Sequence, residues 1–561
     1  MIYFLRNSCK LRGILCILIS VSLLLATGCS RKDKTSNDSD TLKIGVQNID
    51  GNFNPFFSEG EGDKSVISQI FPQVQLKNAN NKLVNNAGSI TYEYEDTTKV
   101  KYTVTIKNDL YFSDGTNATI DDVLFWYYVL ADATYDGVYS DFYLNDIDGI
   151  KEYYYDDENY ESALSEFNGN KQLISAYISD NYADGADVTE IRGIKRIDNY
   201  TCTILFNSRN INSISQINAY ILSKAFYGPD YVKGSAEKIK DITSSAMGCG
   251  EYYLSELKDD EAELLLNKYY TGDTSTFKTV KFIDLSKKGK DFIDAVTYGY
   301  VDIVTASATP SAMSKLNKDN IKYVIQNSKC YYSIFFNTNN GYTQDARRIL
   351  MAVCNLYDVV DEFLGSYYTK LNLPISVRFE EAPQLNEAYY NQTSKASQLK
   401  GFFSSLNAYC TGTEDGIEYK MLQKYAEILK SYGVTLNIHL TDDNGLESAI
   451  NSNSADMWVD ITYDGETCDK YDYYHTGGSK NLTGISSTEI DDLTEKIRKA
   501  TGFTDRAALV KELMSYVMSY AAELPLYQPQ TVTVYNTDTI SEDKLNEISY
   551  YDGYNGIIAT F

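Results

Sequence analysis

The sequence predicts a mixed α/β (α+β) fold made of large lobes. Three observations carry that expectation. The 561 residues exceed what one hydrophobic core organises, so two or three domains are expected. Several short stretches alternate apolar and polar residues at the strand period. Between them lie stretches with apolar residues at helical spacing, and no internal repeat runs through the chain.

The N-terminus comes first. Arg6, Lys10 and Arg12 precede an apolar run from Gly13 to Ala26. A membrane span needs roughly 20 apolar residues, so this shorter run reads as a secretory leader. Its close, Leu24-Leu-Ala-Thr-Gly-Cys29, resembles a lipobox. That resemblance implies removal of residues 1–28 and a lipid on Cys29. Residues 29–41 then form a polar, flexible tether.

Thr41 to Gln47 alternates and predicts a strand. Pro55 punctuates the chain after it, and Ser65 to Phe71 predicts a helix. Lys99 to Lys107 is a second alternating strand, followed by a tight turn at Asp114-Gly115. Thr119-Ile-Asp-Asp122 predicts a capping box opening a helix with Val123, Trp126, Tyr127 and Leu130. Strands recur at Thr201–Phe206 and Tyr331–Thr338. Leu422, Tyr425, Ala426 and Leu429 mark one face of a helix over Tyr419–Lys430. Gly433 ends it before a strand at Val434–Leu440. A last helix covers Asp505–Tyr520, stopped by Leu524-Pro-Leu-Tyr-Gln-Pro529.

The formal net charge is −26. A chain this acidic is not held on nucleic acid by bulk electrostatics. Anionic membranes repel it as well, which gives a covalent anchor a purpose. Tyr is abundant, at 50 residues against 2 Trp and 2 His. Its ring and hydroxyl suit adaptable binding surfaces, although most of these tyrosines simply fill core and surface. Beyond Cys29 the cysteines are Cys202, Cys249, Cys330, Cys354, Cys410 and Cys468. They are widely spaced, with no CxxC pair, which excludes a zinc ribbon or a dense disulfide scaffold. No GxxxxGK[ST] loop, Gly-x-Ser-x-Gly turn or cofactor fingerprint occurs. His439 lies in an alternating strand and His475 beside several carboxylates. Two imidazoles supply few donors for a nickel or zinc site, so neither metal nor cofactor is expected.

Tyr102-Thr-Val-Thr-Ile-Lys-Asn-Asp-Leu-Tyr-Phe-Ser-Asp-Gly-Thr-Asn-Ala-Thr-Ile-Asp-Asp-Val123 is similar to the hallmark of the extracellular solute-binding proteins of family 5. That group serves ABC importers of peptides and nickel. Phe53-Asn-Pro-Phe56 resembles the family's turn after its first strand. Gly193–Asp198, Gly248-Cys-Gly-Glu-Tyr252, Ala295–Asp302, Tyr332–Asn337 with Asp345 and Arg348, and Leu524–Tyr527 resemble further family segments in the same order. Glu251 departs from the pattern by replacing a Pro. Around Ala455–Asp464, Thr462 stands where a Trp is usual, and Lys470 where a Pro often follows an Asp.

The resemblance implies a two-lobed clamp of the type II periplasmic-binding-protein kind, with an extra subdomain in the N-terminal lobe. Lobe I would comprise residues 42–72, 221–328 and 521–561, the subdomain 73–220, and lobe II 329–520. It implies an extracytoplasmic, monomeric binder rather than an enzyme. Its partners would be a peptide or other small solute, an ABC permease and its ATPase, and the membrane through Cys29. Peptide capture needs a carboxylate for the free ammonium, backbone-directed hydrogen bonds and roomy pockets. Asp464 or Asp469 is expected to meet the ammonium, with Tyr463 and Tyr473 lining pockets. Ser58 and Glu59 face them from lobe I, joined by Gly250 and Tyr252 of the 248–252 loop. Two other readings stay open: the same fold binding nickel, a metallophore or another small solute, and a surface-tethered hydrolase.

Overall fold

The computed structural model describes residues 40–77, 83–155, 188–383 and 393–541. The leader, Cys29 and the tether up to residue 39 lie outside the described residues. Among the described residues, no helix is long and apolar enough to cross a membrane.

In chain order the strands are β1 (Thr41–Val46), β2 (Gln75–Lys77), β3 (Leu83–Asn85), β4 (Gly88–Tyr94), β5 (Val100–Ile106), β6 (Ile194–Arg196), β7 (Thr201–Phe206), β8 (Tyr252–Lys258) and β9 (Glu261–Leu266). They continue as β10 (Thr279–Asp284), β11 (Ile303–Ser307), β12 (Ile321–Asn327), β13 (Cys330–Phe336), β14 (Tyr368–Lys370), β15 (Ser405–Cys410), β16 (Thr435–Leu440), β17 (Met457–Tyr463) and β18 (Glu523–Asn536). The described helices of eight or more residues are α1 (Glu61–Ile70), α2 (Ile120–Leu130), α3 (Gln344–Val353), α4 (Tyr357–Leu364), α5 (Ile417–Ser431), α6 (Asp443–Asn451), α7 (Thr488–Lys499) and α8 (Phe503–Tyr520).

One twelve-stranded sheet follows the path β16-β15-β17-β13-β18-β11-β1-β10-β9-β8, with β12 and β14 also paired to β18. A separate sheet has the order β4-β5-β7-β6. β18 lets one sheet serve two lobes. Its first residues pair with β13, and Gln530 to Asn536 pair with β12. The run Leu524–Pro529 therefore does more than stop α8, because it belongs to a 14-residue strand. Proline cannot donate to a ladder, so it needs an irregular place. Pro525 sits where the β13 register shifts between Tyr332 and Ser333. Pro529 lies opposite Tyr368 of β14, and its carbonyl accepts from Ser328 N at 2.9 Å.

We call the half of the sheet from β11 to β8 lobe I and the half from β16 to β13 lobe II; each half is buried on both faces. In lobe I, Ile44, Val46, Val280 and Phe282 join a core that continues into α2 and the four-stranded sheet. The opposite face presents Ile283, Val304, Val532 and Val534. In lobe II, Ile334, Phe336, Met457 and Val459 lie under α3, α5, α7 and α8. Trp458 on the other face packs against Leu446, Ala449 and Ile450 of α6.

Local sequence explains the helices that frame this core. Met421, Leu422, Tyr425 and Leu429 are the buried stripe of α5, and Gly433 adopts φ +79° just past its end. At the start of α2 the Asp122 carboxylate accepts from Thr119 N at 2.8 Å and from Lys224 N at 2.9 Å. The six cysteines from Cys202 to Cys468 are free thiols.

Candidate functional site

β1 and β11 are parallel neighbours, with Ile44 opposite Ile303, so their carboxyl ends open in the same direction. Crevices for ligands form outside such strand ends in open α/β sheets. A cavity of about 840 Å³ lies there. Gln47, Glu61, Ser65, Thr305, Ser307 and Thr531 line it from lobe I, and Tyr463 from lobe II. The volume falls in the range of small-ligand pockets, about 300–1,000 Å³. Tyr463 is 64% exposed.

The lobe I wall is shaped by backbone. Asp63, in the first turn of α1, is buried and accepts from Gly51 N and Asn52 N at 3.1 Å each. Burial lifts its carboxyl to about 6 against the pull of those two donors. The same loop is pinned by Asn54, which donates to Ile239 O at 2.8 Å and accepts from Phe56 N at 3.1 Å. Phe56 stacks on Trp126 with centroids 4.7 Å apart. The Asn-Pro turn thus anchors the loop to the core. Ser58 is buried, and its hydroxyl has no hydrogen-bond partner among the described residues. Glu59 is exposed.

The 248–252 loop serves packing. Gly250 N donates to Ile70 O at 2.9 Å, and a Cβ on Gly250 would stand 2.4 Å from Gln69 O. Only glycine permits that approach to the end of α1. Tyr252 is fully buried, and its hydroxyl donates to Phe277 O at 2.7 Å. Its side chain belongs to the core and does not line the large cavity. Glu251 accepts from Ser275 N at 2.5 Å, and burial pushes its carboxyl up to about 7.

Lobe II treats its acids differently. The Asp464 side chain is 1% exposed and pairs with Lys470 Nζ at 2.5 Å. It also accepts from Ser376 N at 3.1 Å, while Lys470 reaches Tyr331 Oη at 3.2 Å. Glu523 extends this buried polar group by accepting from Ser333 Oγ and Tyr474 Oη at 2.7 Å each. Asp469 accepts from Arg498 Nε and from Asn212 Nδ2, both at 2.7 Å. The expectation that Asp464 or Asp469 waits for a ligand ammonium changes accordingly, since both already hold a cation of this chain. Tyr473 donates to Tyr463 O at 3.0 Å, buttressing the tyrosine in the cavity.

Sequence reasoning missed Asn212, Glu61 and Arg498. The Asn212–Asp469 contact joins residues 257 positions apart, and nothing local announces it. Lys470 did leave a signal. It is the only Lys or Arg between Asp456 and Ser479, so any buried carboxylate of that stretch had one nearby cation.

The model of the bacterial extracellular solute-binding proteins, family 5 (middle region), matches residues 89–483. The chain belongs to this family. Its members bind solutes, and the structural neighbours of this family 5 protein are likewise binding proteins. AppA from Clostridium difficile is 16% identical with a TM-score of 0.71, covering 92% of this chain and 99% of its own. The oligopeptide-binding protein AppA from Bacillus subtilis, solved with a nonapeptide, is 15% identical with a TM-score of 0.64, covering 93% and 98%. NikZ from Campylobacter jejuni, solved with Ni(L-His), is 14% identical with a TM-score of 0.62, covering 89% and 94%. These likenesses establish the two-lobed type II binding-protein fold. No curated protein sequence matches the chain.

Proposed function

We propose that this protein is the lipid-anchored, extracytoplasmic substrate-binding subunit of an ABC importer. It captures peptides between its lobes and passes them to a membrane permease powered by a separate ATPase. The observation that carries the reading is the 840 Å³ cavity at the β1 and β11 strand ends, to which lobe II contributes the exposed Tyr463. A ligand touching both lobes at once favours the closed state, because only closure supplies both sets of contacts. The polar and aromatic lining fits backbone-directed peptide binding. The lipobox at Cys29 supports tethering, which raises the effective concentration of the binder at its permease.

The test is a thermal-shift titration of the purified protein with a peptide library. Specific binding raises the melting temperature by mass action. Tyr463→Ala should keep the unliganded melting point and weaken peptide binding by about tenfold, the order expected for one aromatic anchor. No shift with any peptide would remove the peptide reading, and a shift with nickel or a nickel chelate instead would support the metallophore reading. Separately, Cys29→Ala should leave binding in vitro intact and release the protein from the membrane fraction. Retention in that fraction would contradict the lipid anchor.

A further inference from the structure

A second cavity, of about 380 Å³, lies in the seam between the four-stranded sheet and lobe II. The sheet contributes Tyr92 and Tyr94, the segment after β7 contributes Arg209, and lobe II contributes Phe379, Phe503 and Arg506. In a chain with net charge −26, this lining has five basic residues against three acidic ones. That local reversal singles it out from the acidic surface.

The basic residues differ in what they already hold. Arg506 donates to Glu381 at 2.7 and 2.5 Å. Arg498 is paired with Asp469 at 2.7 Å, and Lys499 with Glu495 at 3.0 Å. Among the described residues, no carboxylate pairs with Arg209. Its guanidinium lies 4.0 Å over the ring of Tyr94, and its buried Nε has no hydrogen-bond partner among the described residues. A buried donor without an acceptor is costly, and a guanidinium left without an anion invites one. Tyr94 holds the planar group in place by stacking, so the fork is oriented before any ligand arrives.

The seam is also where the lobes are tied. Ile211 N donates to Arg498 O at 2.8 Å, and Asn212 bonds Thr467 and Asp469. Ile211 and Asn212 follow Arg209 closely in sequence, and Ile211, Thr467 and Arg498 line the same cavity. A ligand group seated on Arg209 would therefore touch subdomain and lobe II together.

We infer that this cavity is a carboxylate-binding subsite in which Arg209 takes an anionic group of the ligand and the surrounding rings take the apolar part beside it. The inference deepens the peptide reading and rests on it for the ligand's identity. The anchoring charge of the ligand is then negative. This agrees with Asp464 and Asp469 already being paired within the chain. In a peptide the carboxylate comes from the C-terminus or from an Asp or Glu side chain.

The experiment compares wild type, Arg209→Gln and Arg209→Lys, each first checked for an unchanged melting temperature. Each is loaded with a library of tri- to hexapeptides as free acids, as C-terminal amides without acidic residues, and as amides carrying one Glu. Retained peptides are quantified by mass spectrometry. A second arm titrates hippurate, an aromatic carboxylate that is not a peptide substrate, by calorimetry. Wild type should retain free acids over neutral amides by about tenfold or more, the scale of one charge-assisted bidentate contact. Arg209→Gln should abolish the preference, and Arg209→Lys should keep part of it. Recovery of the preference by the Glu-bearing amides assigns the carboxylate to a side chain, and its loss assigns it to the C-terminus. Equal retention of acids and amides, unchanged in Arg209→Gln, overturns the subsite and leaves the peptide reading standing. Hippurate binding that depends on Arg209, with no peptide retained, upholds the subsite and overturns the peptide reading. No binding in either arm overturns both.

Discussion

In lobe I, two carboxylates are held by backbone N–H groups. Asp63 takes those of Gly51 and Asn52, and Glu251 takes that of Ser275. In lobe II three acids each hold a cation: Asp464 with Lys470, Asp469 with Arg498, and Glu381 with Arg506. The difference teaches what each wall does. Backbone donors fix the course of a loop and pull its carboxylate down, but burial outweighs them and raises Asp63 and Glu251 to about 6 and about 7. Side-chain cations fix distant segments to one another and keep the acids occupied. Lobe I thus holds pH-responsive acids behind its wall, whereas lobe II offers a cross-braced wall on which Tyr463 stands.

The largest test of that contrast is Lys470→Met. It leaves Asp464 buried with no cation, and breaking a buried pair from one side costs about 3–5 kcal/mol. Chemical denaturation should show the loss. The double variant Lys470→Met with Asp464→Leu should recover most of it, because the uncompensated charge is gone as well. If the single variant unfolds at the wild-type denaturant concentration, the pair is not the brace described.

A smaller effect is expected at the seam. Asn212→Ala removes the side-chain bonds to Thr467 and Asp469 but leaves Asp469 on Arg498. Two hydrogen bonds at about 1 kcal/mol each set the scale. Hydrogen exchange should quicken around residues 211–212 and 466–469, while amides of the β13–β17 pair stay protected. Uniform exchange across both regions would deny that the seam opens as a unit.

How far these features were legible follows the same division. Segments governed by local periodicity and caps were readable: β5, the Asp114-Gly115 turn, the Asp122 cap of α2 and the Leu422–Leu429 stripe of α5. Their physics lies within a few residues. β18 was only half readable. Its prolines signal the end of α8, but its role as a strand depends on β13, β12 and β11, which lie far away in sequence. The site was least legible. Asp464 and Asp469 present the right chemistry for capturing an amine. Whether a carboxylate is vacant, however, depends on partners such as Arg498 and Asn212 that spacing cannot reveal. Tyr252 misled for a related reason: a tyrosine beside a glycine-rich loop looks exposed until β8 places it inside the core.

The smallest effect expected is a reversal of order with pH, and it addresses the lobe I side directly. Glu251 has a folded pKa of about 7 against an ordinary 4.5, with burial as the main cause. The native state therefore binds this proton more tightly than the unfolded chain does. Linkage then requires its contribution to favour folding at low pH and to fade as pH rises from about 4.5 to about 7. Glu251→Gln cannot ionise, yet it keeps an oxygen for Ser275 N. It should melt above wild type at pH 8, where the wild-type carboxylate is charged and buried, and lose that advantage at pH 5. An Asp469→Asn control in lobe II should lose stability at both pH values, since its charge is what holds Arg498. Melting curves that move in parallel for the two variants would show that both walls hold their acids in the same way, and the contrast between backbone-held and cation-held carboxylates would fall.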